Sequence, residues 1–188
     1  MDVLRAEASP WVVRFAPLVR PGGRVLDVAC GGGRHCRLFL ACGYQVTGLD
    51  RDVGAIRLEE AELIAADLED GSPWPLAGRL FDAVVVTNYL WRPLFPHLLG
   101  SLAEGGVLLY ETFADGNQAF GRPRNPDHLL ARGELLERAR GLTVVAYEDG
   151  VVDNRAVIQR ICAVKASGAL PLSEPFAPSG PLPLPTAG

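Results

Sequence analysis

Five polar residues stand at the ends of apolar runs in this chain: Asp27, Asp50, Asp67, Asn88 and Glu111. The first of them precedes a glycine turn, Val25-Leu26-Asp27-Val28-Ala29-Cys30-Gly31-Gly32-Gly33-Arg34-His35. Glycines at 31–33 let the backbone turn sharply and approach a ligand without a Cβ in the way, and a helix that follows offers its unpaired N–H groups to an anion. Asp50 ends the next apolar run about 20 residues on, where an acidic side chain accepts hydrogen bonds from ribose hydroxyls. Together these point to an adenosine-type ligand. A dinucleotide fingerprint requires a third glycine, but Cys36 occupies that position, and Asp27 would set a carboxylate close to the diphosphate. An aminoacyl sulfonium fits better, its ammonium drawn to Asp27 and its carboxylate to the helix N-terminus.

The elements that carry these residues alternate. Ser9-Pro10 reads as a cap with proline at the first helical position, and Trp11, Val12, Phe15, Leu18 and Val19 recur at helical spacing until Pro21-Gly22-Gly23. Strands are expected at 24–29, 44–49, 61–66, 81–87, 107–112, 142–147 and 155–165. Helices are expected at 33–42, 93–103 and 132–140, with at best a short one at 52–60. The unbroken apolar run of residues 81–87 is that of a strand covered on both faces. Such alternation predicts an α/β fold, a doubly wound and mostly parallel sheet whose ligand site lies at the carboxyl ends of the strands.

Residues 113–131 lack periodicity and contain Gly116, Gly121, Pro123 and Pro126, the composition of a long loop and a candidate substrate lid. One domain is expected over residues 1–165, opened by the N-terminal helix within 1–22. The proline-rich segment 166–188 is expected to be a mobile tail.

Composition narrows the partners. With 188 residues, 48% of them hydrophobic, the chain can bury a core without disulfides or metal. Its net charge of −4 disfavours a nucleic-acid partner. The four cysteines, Cys30, Cys36, Cys42 and Cys162, form no C-x-x-C pair and read as buried thiols of a cytoplasmic protein, and the three histidines lack metal-ligand spacing. No apolar run approaches the roughly 20 residues that span a bilayer.

Five segments in this order resemble the class I S-adenosylmethionine-dependent methyltransferases: Val25 to Gly33, Val46-Thr47-Gly48-Leu49-Asp50, Ala66-Asp67-Leu68, Phe81 to Val86, and Leu102 to Leu108. The resemblance covers residues 24–165 and is greatest to small-molecule enzymes, including the tellurite-resistance type. It implies a Rossmann-like sheet with the last strand antiparallel, and S-adenosylmethionine as methyl donor with S-adenosylhomocysteine as product. Carried over by position, Asp27, Cys30, Gly31 and Gly33 would hold the methionine moiety, Asp50 the ribose, and Asp67 with the backbone of Leu68 the adenine. Asn88 and Tyr89 would lie near the sulfonium and the incoming acceptor.

Several of these residues have a plain structural reading beside the functional one. Asp67 serves equally as a solvated strand end, His35 as a helix-surface residue, Tyr89 as packing and Glu111 as half of an ion pair. If the acceptor is an alcohol or phenol, Tyr89 and Glu111 are the candidate bases. The Asn/Asp-Pro-Pro-Tyr/Phe sequence of many base-methylating relatives is missing after the fourth strand, where Thr87-Asn88-Tyr89-Leu90 stands. A small-molecule acceptor is therefore the leading expectation. The competing readings are a non-catalytic S-adenosylmethionine-binding module and a nicotinamide-dependent oxidoreductase.

Overall fold

A computed structural model describes residues 8–166. The proline-rich tail expected beyond residue 166 lies outside the described residues. Seven strands form one sheet: β1 (Arg24–Val28), β2 (Gln45–Asp50), β3 (Glu62–Ala65), β4 (Phe81–Thr87), β5 (Leu102–Phe113), β6 (Leu142–Val152) and β7 (Ala156–Lys165). Their order is β3-β2-β1-β4-β5-β7-β6. The first five run parallel and β7 pairs antiparallel with both β5 and β6. The order reverses between β1 and β4, so their carboxyl ends flank the crevice where such sheets bind ligands.

Among the described residues four helices pack around the sheet: α1 (Pro10–Phe15), α2 (Arg34–Ala41), α3 (Phe95–Gly100) and α4 (Glu134–Arg138). Ser9 caps α1 through its side-chain oxygen, which accepts the Trp11 N–H at 3.1 Å. Trp11, Val12 and Phe15 are buried by α1, and complete burial of side chains of this kind contributes about 1.5–3 kcal/mol each. The indole N–H of Trp11 donates to Ile161 O on β7, which fixes α1 across the sheet. Two apolar layers result. One contains α1 and α2; the other contains Leu26, Val84, Val86 and Tyr110 with α3.

Some expected elements change in the structure. Residues 52–60 form turns rather than a helix, because Asp52 accepts the Gly54 N–H on its own side chain and so competes with a helical ladder. The helix expected over 93–103 is a 3-10 turn at Arg92–Leu94 followed by α3, and Ala103 belongs to β5. Gly105 (φ 74°) and Gly106 lie inside β5, in a segment where its register with β4 shifts. A Cβ on Gly106 would come within 2.7 Å of Ala103 O, so only glycine fits the irregularity. Strand β6 extends to Val152 as part of a long hairpin, and α4 is shorter than residues 132–140. Cys42 is exposed, unlike the other three cysteines.

Candidate active site

The glycine turn and Asp50 hold each other. Ala29, Gly31 and Gly33 all take positive φ (52°, 53° and 76°), and the Gly31 N–H donates to Asp50 Oδ2 at 2.8 Å. The other oxygen of Asp50 accepts the Asp52 N–H. A Cβ on Gly33 would lie 3.2 Å from Ile56 and from Leu58, whereas one on Gly31 or Gly32 would meet nothing within 4 Å. The space above Gly31 and Gly32 is therefore open, bounded by a carboxylate that still has accepting lone pairs.

Beneath the turn the polar groups are buried and joined to one another. Asp27, 1% exposed, accepts from the Cys36 thiol at 3.3 Å, and burial pushes its pKa up to about 7. The His35 Nε2 accepts the Ser9 N–H at 3.1 Å, which leaves its proton on Nδ1, 4.0 Å from Asp27 Oδ1. Burial lowers the His35 pKa to about 3, so the imidazole is neutral. The Cys36 thiol also bonds to Cys30, and together with burial this pushes it far above the usual thiol range. His35 is thus a buried joint between α1 and β1, not the helix-surface residue expected.

The same network reaches Glu111. Its Oε1 accepts from the Ser9 hydroxyl at 2.8 Å and its Oε2 pairs with Arg160 at 3.4 Å. Arg160 in turn binds Glu148 and lies over the Trp11 ring. Both oxygens of Glu111 are engaged and the residue lines none of the cavities described next, which favours the ion-pair reading over the base.

Of the cavities at the carboxyl ends of the strands, one of about 390 Å³ lies between residues 65–68 and Trp74, Leu94 and His97, and two others adjoin Tyr89. The first of these two, of about 260 Å³, is bounded by Ala29 after β1, Asp50 and Arg51 after β2, residues 66–69 after β3 and Tyr89 after β4. Asp50, Asp67, Leu68 and Tyr89 all meet here, and Ala29 represents the turn segment in the lining, whereas Asp27, Cys30, Gly31 and Gly33 do not line this cavity. Asp67 accepts the Glu69 N–H on Oδ1. The second cavity, of about 220 Å³, lies between Asn88, Tyr89 and Leu90 after β4, Thr112 and Phe113 on β5, and Pro123 and His128 of the loop after β5. Glu69 and Tyr89 belong to both walls.

Tyr89 is held rather than free. Its backbone carbonyl accepts the Tyr110 hydroxyl at 2.9 Å. Burial, with the carboxylates of Glu69, Asp67 and Asp50, pushes the pKa of Tyr89 above the ordinary tyrosine range. It keeps its proton, which disfavours Tyr89 as a base. Asn88 takes a left-handed conformation (φ 56°) at the strand end, and non-glycine residues in that region cluster at functional sites. Glu69 and His128 are site residues that the sequence pattern does not single out. Glu69 sits two positions past Asp67, an offset within reach of a sequence reading, while His128 lies in an aperiodic loop.

A model for a methyltransferase domain matches residues 3–140 of the chain. The chain belongs to this methyltransferase family. Its sheet order and the turn–Asp50 pair fit a class I S-adenosylmethionine-dependent methyltransferase domain. It is similar to the protein-L-isoaspartate O-methyltransferase of Chlorobaculum tepidum, 34% identical over 97 residues that make up 47% of this chain and 44% of that protein. It is also similar to the ribosomal RNA small subunit methyltransferase H of Nostoc punctiforme, 32% identical over 125 residues, 64% of this chain and 38% of that one. The methyltransferase thus spans less than half the length of these curated relatives. Its fold resembles TehB of Haemophilus influenzae with a TM-score of 0.66 at 19% identity, over 84% of this chain and 62% of that one. Among the described residues no helix of the methyltransferase is long and apolar enough to cross a membrane.

Proposed function

We propose that the methyltransferase acts on a small-molecule acceptor held in the 220 Å³ cavity, with the donor in the adjoining 260 Å³ cavity. The observation that carries this reading is the shared wall, Glu69 and Tyr89, which puts the two cavities side by side at the ends of β3 and β4.

Bound S-adenosylmethionine supplies a methyl group on a positively charged sulfur, already activated for in-line displacement. The protein's task is then mainly alignment, which can provide much of the rate. Asp50 accepts from the ribose hydroxyls, Asp67 and the Leu68 backbone face the adenine, and the turn at Cys30, Gly31 and Gly33 receives the methionine moiety above Asp27. Asn88 stands near the sulfur. The carboxylates of Asp50, Asp67 and Glu69 favour a positively charged occupant over a neutral one, so this wall attracts the donor more strongly than the product.

Calorimetry with S-adenosylhomocysteine and with NAD, followed by transfer of radiolabelled methyl to small amines, phenols and thiols, to ribosomal RNA and to isoaspartyl peptide, tests the reading. The expected result is binding of S-adenosylhomocysteine alone and label in a small molecule. Label only in RNA or peptide would overturn the small-molecule acceptor, and binding without any transfer would favour a non-catalytic module.

A further inference from the structure

We propose that His128 faces the methyl acceptor and takes its proton, which makes the acceptor a small neutral or cationic compound with a dissociable N–H, O–H or S–H at the atom methylated. The inference rests on the small-molecule reading above and adds to it a base and a chemical class.

Three titratable side chains line the acceptor cavity: Glu69, Tyr89 and His128. Tyr89 keeps its proton for the reasons given, and Glu69 shares both cavity walls with it. Among the described residues the His128 imidazole has no hydrogen-bond or ion-pair partner, so a ring nitrogen is free to accept. Histidine is the side chain that exchanges a proton near neutral pH.

The backbone on either side of His128 is fixed, which is what a group meeting a small substrate needs. Arg92 Nη1 donates to Asp127 O and Nη2 to Leu129 O, both at 2.8 Å, so one guanidinium grips the carbonyls immediately before and after His128. Arg92 is itself held by Glu134, at 2.8 and 2.9 Å to its two oxygens. The 3-10 turn Pro126–His128 is capped by Asn125, whose side chain accepts the Asp127 N–H. Arg92 is therefore a positioning residue for His128.

The wall also restricts the acceptor. No Lys or Arg lines the cavity, while Glu69 does, so an anionic acceptor would find no counter-charge there. In the transfer the acceptor's lone pair forms the new bond to the methyl carbon as the carbon–sulfur bond breaks, with that electron pair remaining on sulfur. The proton displaced from the acceptor atom passes to the His128 imidazole and from there to solvent. No further reactant is needed.

The test uses 4-nitrophenol, a small neutral acid whose ionised form is yellow, added to the protein saturated with S-adenosylhomocysteine. The groups around His128 that bear on its titration are Glu69 and Tyr89 across the cavity, and Arg92, Asp127 and Glu134 behind it. The wild-type protein is expected to bind the probe as phenolate at a pH where the free probe is still largely neutral. His128→Gln and His128→Asn should each lower the affinity for the ionised probe by about tenfold, the size of one charge-assisted hydrogen bond, and move its ionisation midpoint to higher pH. Arg92→Lys should move the midpoint part of the way. Affinity for S-adenosylhomocysteine should stay within about twofold in all three variants. An unchanged midpoint in both His128 variants, or no probe binding by the wild type, overturns the role of His128. Loss of S-adenosylhomocysteine binding by the wild type would instead sink the cofactor reading.

Discussion

The two sides of this site are built differently. Under the glycine turn, Asp27, His35, Ser9, Glu111 and Arg160 are joined through one another across α1, β1, β5 and β7. Past β4, in contrast, His128 stands at a cavity wall without a side-chain partner, and what is fixed is the backbone that carries it. Groups already satisfied by protein have little left to offer a ligand, so the first region holds geometry while the second keeps its valences for an occupant. The same contrast separates the two bases expected from the sequence and the one inferred from the structure: Glu111 is engaged on both oxygens, Tyr89 keeps its proton beside carboxylates, and His128 is free to accept.

The largest effect should come from the most buried charge on the satisfied side. Asp27 has an ordinary pKa of 3.8 and a folded value near 7, so the native state binds its proton more tightly than the unfolded chain does. Stability then falls as pH rises from about 4 to about 7, with the penalty absent below that window and complete above it. Asp27→Asn removes the ionising group and keeps an oxygen for the Cys36 thiol. The variant should be more stable than the wild type by about 2–4 kcal/mol at pH 8, an upper range for such a shift, and equal to it near pH 3. Thermal unfolding of both proteins across that span checks this, and a difference that does not vary with pH would show that folding leaves the Asp27 pKa unshifted.

Next in size is the clamp on the open side. Arg92→Met removes both hydrogen bonds to the loop and leaves Glu134, 8% exposed, with Arg138 as its remaining ion-pair partner. A loss of about 2–3 kcal/mol in stability is expected from hydrogen bonds to charged groups of this kind. Glu134 has its pKa lowered to about 2, so its contribution is complete above 4.5 and disappears as pH falls towards 2. The variant should therefore differ most from the wild type above pH 5, with S-adenosylhomocysteine affinity unchanged. A fall in that affinity would mean that the two sides of the site are coupled.

Asp50→Ala probes the cofactor side alone. Loss of ribose hydrogen bonds to a carboxylate corresponds to about 10–100-fold in affinity for S-adenosylhomocysteine. Calorimetry measures it directly, and unchanged affinity would remove the ribose role.

The contrast also explains what the sequence makes visible. Asp27, the glycine turn and Asp50 follow one another along a strand, a helix and the next strand, so local order alone brings them into register; in the sheet Asp27 pairs with Gly48 and Val28 with Leu49. The acceptor side has no such local rule. Arg92 meets Asp127 across 35 residues and Glu134 across 42, contacts that exist only once the loop after β5 has folded back past β4. His35 fails as a surface residue for the same reason, since its partner Ser9 lies 26 residues earlier on α1. The missing helix at 52–60 is a local error instead: Asp52 and Gly54 supply turn chemistry that apolar spacing does not weigh.

The smallest expected effect is the one that separates the candidate bases. Tyr89→Phe removes the hydroxyl and keeps the ring that walls both cavities. If His128 takes the acceptor's proton, bound 4-nitrophenol should ionise at the same pH in Tyr89→Phe as in the wild type, and its affinity should change by no more than about twofold. Were Tyr89 the proton acceptor, the phenolate would be lost with the hydroxyl, and turnover of a protic acceptor would fall by the 10²–10⁴-fold typical of a missing general base. The environment decides between them on physical grounds: three carboxylates make a tyrosinate costly at Tyr89.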